Sequence, residues 1–269
     1  MRNHLLWAET ALTPAGWRSD VRVEIAADGR IAAVTPGAPA GGERHAILLP
    51  APANLHSHAF QRAMAGLTER RGPDPRDSFW TWRRLMYRFL EQLTPDDVEA
   101  IAAFVQMEML EAGYAAVAEF HYLHHAPGGV PYADPSEMSA RIAAAAAATG
   151  IGLTLLPVLY QHGGCDRRPL AAGQDRFGCS PESFAKLFGR AGAALALLPA
   201  DAVLGLAPHS LRAVDPEGLA AILRLAPEGP VHIHAAEQVA EVEEVLAHLG
   251  ANVGPGGQSS APRRARVAR

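Results

Sequence analysis

Cysteine is almost absent from this sequence. The 269 residues hold two, Cys165 and Cys179, which excludes a disulfide scaffold and fits a reducing, cytoplasmic compartment. Neither belongs to a Cys-x-x-Cys pair. Cys165 lies in the loop Gly163-Gly164-Cys165-Asp166, and Cys179 precedes a helix start. Long apolar runs are missing too. None reaches the roughly 18–20 residues that a membrane helix needs, and Met1 to Glu9 is too short and too mixed for a signal peptide. Positive charge is not in excess: the net charge is −4, which argues against a general nucleic-acid surface. A hydrophobic content of 49% against 19% charged excludes a disordered chain, and the length suffices for a sizeable core. Histidine, by contrast, is plentiful. The twelve histidines fall mostly in short clusters, a first hint of metal chemistry.

Residues 1–49 read as short strands. Val21-Arg22-Val23-Glu24-Ile25 alternates apolar and polar, and the turn Ala27-Asp28-Gly29-Arg30 joins it to Ile31-Ala32-Ala33-Val34 as a hairpin. Ala46 to Leu49 is a further apolar run. From residue 50 to 249, strands alternate with helices. Thr94-Pro95-Asp96-Asp97 is a helix start, with an N-cap threonine, proline at the first helical position and acids in the first turn. That helix runs to a C-cap at Gly113. Buried strands are expected at Ala115–Phe120, Ile151–Val158, Val203–Ala207 and Pro230–His234. Helices follow from Arg141 to Thr149, from Ser180, from Asp215, and from Val239 to Leu249. With a strand ending near Leu55, this makes about five β/α units. Apolar strands with intervening helices pair in parallel. The fold class is therefore α/β, an incomplete (β/α)8 TIM-like barrel whose site lies at the C-terminal strand ends. Residues 250–269 are rich in Gly, Ser, Pro and Arg and hold no acid. They read either as a flexible basic tail or as sequence that has left its proper frame, and the abrupt loss of helical pattern favours the second.

Chemistry concentrates at the strand ends. In Leu55-His56-Ser57-His58, alternation along a strand points His56 and His58 to one face, where two imidazoles can share one metal ion. In His232-Ile233-His234-Ala235-Ala236-Glu237, His234 can bind metal while Glu237 reaches the attacking water and moves a proton. His232 is better read as a core histidine. Ala207-Pro208-His209-Ser210-Leu211-Arg212 and Glu119-Phe120-His121-Tyr122, with His124 and His125, add polar groups past two more strands. Each stretch alone has a plainer reading as hydrogen-bonded surface. Together they share one barrel face, where catalysis is expected.

Pro52-Ala53-Asn54-Leu55-His56-Ser57-His58-Ala59-Phe60-Gln61-Arg62 resembles the first-strand motif of the amidohydrolase superfamily. Asp77-Ser78-Phe79-Trp80-Thr81-Trp82-Arg83, Glu119-Phe120-His121-Tyr122, Pro208-His209-Ser210-Leu211-Arg212 and His232-Ile233-His234-Ala235-Ala236-Glu237-Gln238 resemble the formimidoylglutamate deiminases of histidine degradation. The similarity runs from the N-terminus to about Gly250. It implies that residues 1–49 are strands of a small β-sandwich. It also implies one zinc ion per chain, with His56, His58 and His234 as ligands. Glu237 matches the proton shuttle. Gln61, Arg83, Tyr122, His209 and Arg212 match substrate-holding positions, His209 with a second role in polarising the formimino group. The implied partner is a small dicarboxylate, N-formimino-L-glutamate, which arginine forks suit. No nucleic acid and no membrane is implied, and a homodimer is compatible.

The departures from that pattern carry their own expectations. The family's histidine after the sixth strand and its zinc-binding aspartate after the eighth have no counterpart, since no Asp follows Glu237. Three missing β/α units would leave strand edges unpaired. The 269-residue chain is therefore expected to be unstable or inactive, as a truncation or a frameshift product. The rival readings are a guanine or triazine deaminase with the same His56, His58, His234 and Glu237, and a non-catalytic zinc-binding fragment. A nucleic-acid role for Arg263, Arg264, Arg266 and Arg269 has poor support in an acidic chain.

Overall fold

Two compact units, residues 1–52 and 53–269, divide the chain. The computed structural model describes residues 4–68, 79–250 and 265–268. The first unit holds β1 (His4–Thr13), β2 (Gly16–Ile25), β3 (Ile31–Thr35) and β4 (Glu43–Leu48) in one sheet of order β3-β2-β1-β4. β1 and β2 pair antiparallel, as do β2 and β3, while β4 runs parallel to β1. The Asp28-Gly29 turn closes the second hairpin as its sequence expects, with the Gly29 amide donating to the Ala26 carbonyl at 2.9 Å. Ala8, Ala11, Val21 and Val23 are buried together in one cluster, with Leu6, Ile25 and Leu48 packed against them.

The second unit follows the β/α pattern. Its elements are β5 (Ala53–Ser57), α1 (Phe79–Leu90), α2 (Pro95–Glu111), β6 (Ala116–His121), α3 (Glu137–Thr149), β7 (Gly152–Leu159) and α4 (Pro181–Leu195). They continue as β8 (Val203–Leu204), β9 (Ala207–Pro208), α5 (Pro216–Leu223), β10 (Val231–His234), α6 (Val239–Leu249) and β11 (Ala265–Ala268). β5, β6, β7 and β8 pair in order, all parallel, and β9 pairs with β7. Parallel bridges Leu206–Val231 and Ser210–His234 carry the sheet on to β10. Strand ends 6 through 10 therefore face one way, and their loops meet at one end.

Local signals explain most boundaries. Thr94 caps α2 reciprocally: its hydroxyl accepts the Asp97 amide at 3.2 Å, and the Asp97 carboxylate accepts the Thr94 amide at 2.9 Å. The inner face of α2, Val98, Ala102 and Gln106, has the four-residue spacing of a core-facing helix. Ser180 and Asp215 cap α4 and α5 in one direction, their side chains accepting the amides of Ser183 and Gly218.

The structure departs from expectation at four places. The strand expected over 203–207 is split into β8 and β9 at Gly205. A Cβ there would lie 2.6 Å from the Pro230 carbonyl oxygen, so only glycine admits β10 this close. The helix expected from Arg141 begins at Glu137. Helix α1 is not among the expected helices, because the weak helix formers Trp80, Thr81 and Trp82 mask its period. Its core face emerges at Met86 and Leu90, both buried. Finally, within the stretch expected to be a disordered tail, Ala265–Ala268 pairs in parallel with β10, covering its outer edge. Residues 251–264 and 269 lie outside the described residues.

Candidate metal and substrate site

The first strand does not end as a simple alternating strand. Asn54 pairs with Val117 and Ser57 with Glu119. Three steps on β5 therefore match two on β6, a bulge at Leu55 and His56. The Asn54 side chain takes up the His56 amide at 3.2 Å. His58 lies just beyond the strand, at the start of a 3-10 turn over Ala59–Met64. The two imidazoles converge because the bulge re-aims the backbone, not through strand alternation alone. Their Nε2 atoms are 3.0 Å apart. His234, at the end of β10, brings its Nε2 to 3.3 Å from that of His56.

This donor set suits a metal ion. One ligand atom from each of the three histidines lies within 4.8 Å of the others. The two shorter separations match the edge of about 3.3 Å in a tetrahedron of Zn–N bonds of about 2.0 Å. His58 donates Nδ1–H to the Phe120 carbonyl at 2.9 Å, which fixes its tautomer and leaves the Nε2 lone pair facing the cluster. Burial, then the charges of His234 and His56, hold His58 well below the usual histidine range. Burial, then His56 and Arg212, push His234 down to about 3, and burial lowers His56. All three imidazoles are therefore neutral near pH 7, as metal binding requires. The Phe120 ring forms an apolar floor, 4.3 Å from the His234 ring and 5.3 Å from that of His58.

The remaining sequence-named residues meet at this cluster. Gln61, Arg83, Tyr122, His209, Arg212 and Glu237 line one cavity with His58 and His234. A neighbouring cavity of about 270 Å³ shares Arg83, Arg212 and Glu237 with it. Gln61 sits on the 3-10 turn, which Arg62 anchors to α2 through a two-pronged ion pair with Glu108, both contacts 2.6 Å. Gln61 Nε2 donates to the Tyr122 hydroxyl at 3.3 Å. Burial pushes the Tyr122 phenol up, so it stays protonated. His209 follows β9 and is held from both sides: its amide donates to the Leu159 carbonyl at 3.0 Å, and its carbonyl accepts the His234 amide at 2.9 Å. Burial, then His234 and Arg212, keep it neutral. Ala236 takes a left-handed φ of 56° in the β10–α6 turn. The next amide, that of Glu237, donates to Glu241 Oε2 at 2.9 Å.

Several residues of the site were not singled out by the sequence reading. Tyr160 accepts Arg83 Nη2 at 3.1 Å and Gln174 Nε2 at 2.6 Å, and its ring lies 4.4 Å from that of His209. The Tyr87 hydroxyl accepts Arg83 Nε. Buried Arg176 ties down the end of α1: it donates to the Leu90 carbonyl, to Leu93 at 3.0 Å and to His125 at 2.7 Å. Tyr160 had a usable signal, its place just past a buried strand; Arg176 had none. Asp77 and Ser78 of the aromatic motif lie outside the described residues. His121 and His124 are buried, and His124 donates to the Val158 carbonyl at 2.8 Å, away from the cluster. His232 is buried, as a core histidine would be.

Comparison with known proteins gives consistent matches. Residues 3–46 match a family described as "Formimidoylglutamate deiminase HutF, N-terminal domain", and residues 47–265 match the amidohydrolase family. A formimidoylglutamate deiminase of Pseudomonas aeruginosa is 52% identical over 248 residues, 91% of this chain and 54% of that protein. A crystal structure of an amidohydrolase from Brucella melitensis superposes with a TM-score of 0.88 at 50% identity, covering 93% of this chain and 56% of that one. A zinc-complexed atrazine chlorohydrolase from Arthrobacter aurescens shares the fold, with a TM-score of 0.69 at 17% identity over 93% of this chain and 56% of that one. The chain thus spans about half the length of these relatives. No helix among the described residues is long and apolar enough to cross a membrane.

Proposed function

Because the chain belongs to the amidohydrolase family, we propose that its cavity holds one zinc ion and hydrolyses the formimino C–N bond of N-formimino-L-glutamate. The products are N-formyl-L-glutamate and ammonia. The observation that carries this reading is the cluster of His56, His58 and His234 beside a cavity that His58, His234, Glu237 and two arginines line together. The identity with the Pseudomonas aeruginosa deiminase supports the choice of substrate.

His56, His58 and His234 would hold the zinc, which when bound supplies Lewis-acid polarisation and brings the pKa of water toward about 7. The protein's own residues do the rest. Arg83 and Arg212 come from α1 and from the loop after β9, and each can grip one of the substrate's two carboxylates. Gln61 and Tyr122 orient the formimino end. His209, kept neutral, can hydrogen-bond to its nitrogen as charge develops. Water adds to the formimino carbon, and Glu237 accepts the proton released and returns it to the nitrogen that departs as ammonia. The C=N bond is replaced by C=O, with one water consumed per ammonia released.

Ammonia release from N-formimino-L-glutamate by the zinc-loaded chain tests this reading, with guanine as the competing substrate. Release from the amidine alone supports it. Release from guanine alone assigns the chain to another aminohydrolase. Zinc binding without turnover of either leaves a metal-binding chain that is not catalytic.

A further inference from the structure

The bulge at Leu55 and His56 takes the chain around His58 out of the strand ladder, so its polar groups need other partners. The Ala59 amide donates to Glu119 Oε1 at 2.7 Å. The Ser57 hydroxyl also bonds this carboxylate. Glu119 is 2% exposed, and it pairs with Ser57 across β5 and β6. The adjacent residue on β6, Phe120, receives His58 Nδ1–H on its carbonyl. Two successive residues of β6 thus hold the metal-facing turn. One holds the Ala59 amide and the Ser57 hydroxyl on either side of His58, the other the His58 ring.

We propose that Glu119 is a positioning residue for the His56 and His58 pair: its buried carboxylate stands in for the missing ladder acceptor and fixes the turn that aims both Nε2 atoms at one ion. This rests on the metal reading of the histidine cluster. Glu119 itself neither binds the ion nor touches substrate. Without the acceptor, the Ala59 amide would be buried and unpaired, and the turn would relax toward another partner. The separation of 3.0 Å between the two Nε2 atoms would then be lost.

The test measures zinc affinity of the full chain by competition with a chromophoric chelator, and records the visible spectrum of the cobalt-loaded chain. Glu119→Ala is expected to weaken zinc binding about 10–100-fold, as loss of a residue orienting a ligand does, and to change the cobalt bands. Glu119→Gln keeps an acceptor for Ala59 and is expected to stay close to wild type. Glu119→Asp falls one methylene short and is expected to weaken binding; it serves if the alanine variant does not fold. Thr94→Ala, which removes the cap of α2, controls for destabilisation alone and is expected to leave affinity and spectrum unchanged. Wild-type affinity in folded Glu119→Ala or Glu119→Asp overturns the inference, as does equal loss in Glu119→Gln and Glu119→Ala. If the unsubstituted chain binds no zinc, the metal reading falls and this inference with it. If it binds zinc but the Glu119 variants bind as well, the inference falls alone.

Discussion

Tyr160 and Arg83 meet through a hydrogen bond of 3.1 Å from the guanidinium Nη2 to the phenol oxygen. The same phenol carries the Gln174 amide, and its ring lies against His209. Tyr160 thereby joins two proposed substrate-holding residues from separate elements. Tyr160→Phe keeps the ring and removes the acceptor. With a bond to a charged group worth about 1.5–3 kcal/mol, KM for the dicarboxylate amidine should rise tenfold or more while kcat changes little. A fall in kcat at unchanged KM would remove Tyr160 from this role.

Glu237, the proposed proton carrier, gives a complementary split. Glu237→Gln preserves size and the backbone amide that Glu241 holds. Its kcat should drop about 10²–10⁴-fold with zinc content unchanged. Metal analysis beside steady-state rates checks both halves, and loss of zinc would recast Glu237 as part of the metal site.

His58→Ala removes the proposed ligand whose tautomer the Phe120 carbonyl fixes. Zinc content after dialysis should fall from about one per chain toward zero, and added zinc should no longer raise Tm. Full zinc retention in this variant would break the three-histidine assignment.

Acid sensitivity should trace to buried imidazoles away from the cluster. Burial pushes His121 down to about 4 and His124 down to about 3. Both are lowered in the folded state, so the unfolded chain binds more protons once pH falls below about 6.5. Stability is intact above that value and is lost as pH drops toward 4 and then 3. Each group adds a slope of about 1.4 kcal/mol per pH unit within its window. His124→Gln keeps a donor for the Val158 carbonyl but does not titrate. Urea unfolding at pH 7 and pH 5 should show a smaller loss for this variant than for wild type.

Asp215 caps α5, accepting the Gly218 amide at 2.7 Å, and also pairs with His162 at 3.0 Å. Asp215→Ala should cost about 1 kcal/mol, read as a lower urea midpoint at unchanged m value. A shift within error would make the cap dispensable.

Much of this architecture was legible because its signals are local. Thr94-Pro95-Asp96-Asp97 states a helix start in four residues, and α2 begins there. The strand-end histidines could be found because each follows a short apolar run. The sequence hid features that depend on distant partners. Gly205 splits a strand only because Pro230 crowds it. The bulge before His58 exists only in register with β6. Glu119 was visible as part of a motif, but its task depends on an amide 60 positions earlier. Arg176 looks like any loop arginine until three carbonyls from two distant segments converge on it.

His56 and His234 stand 178 residues apart in the chain, yet their Nε2 atoms lie 3.3 Å apart. Seen from the unfolded state, an ion shared by them is a removable cross-link. A covalent link closing a loop of this size withdraws about 5 kcal/mol of chain freedom in the entropy model. A metal ion does so reversibly, under the control of its free concentration. On the proposed zinc reading the cluster would also be a clasp between the first strand of the β/α unit and β10, and a chelator should loosen that clasp as it empties the site.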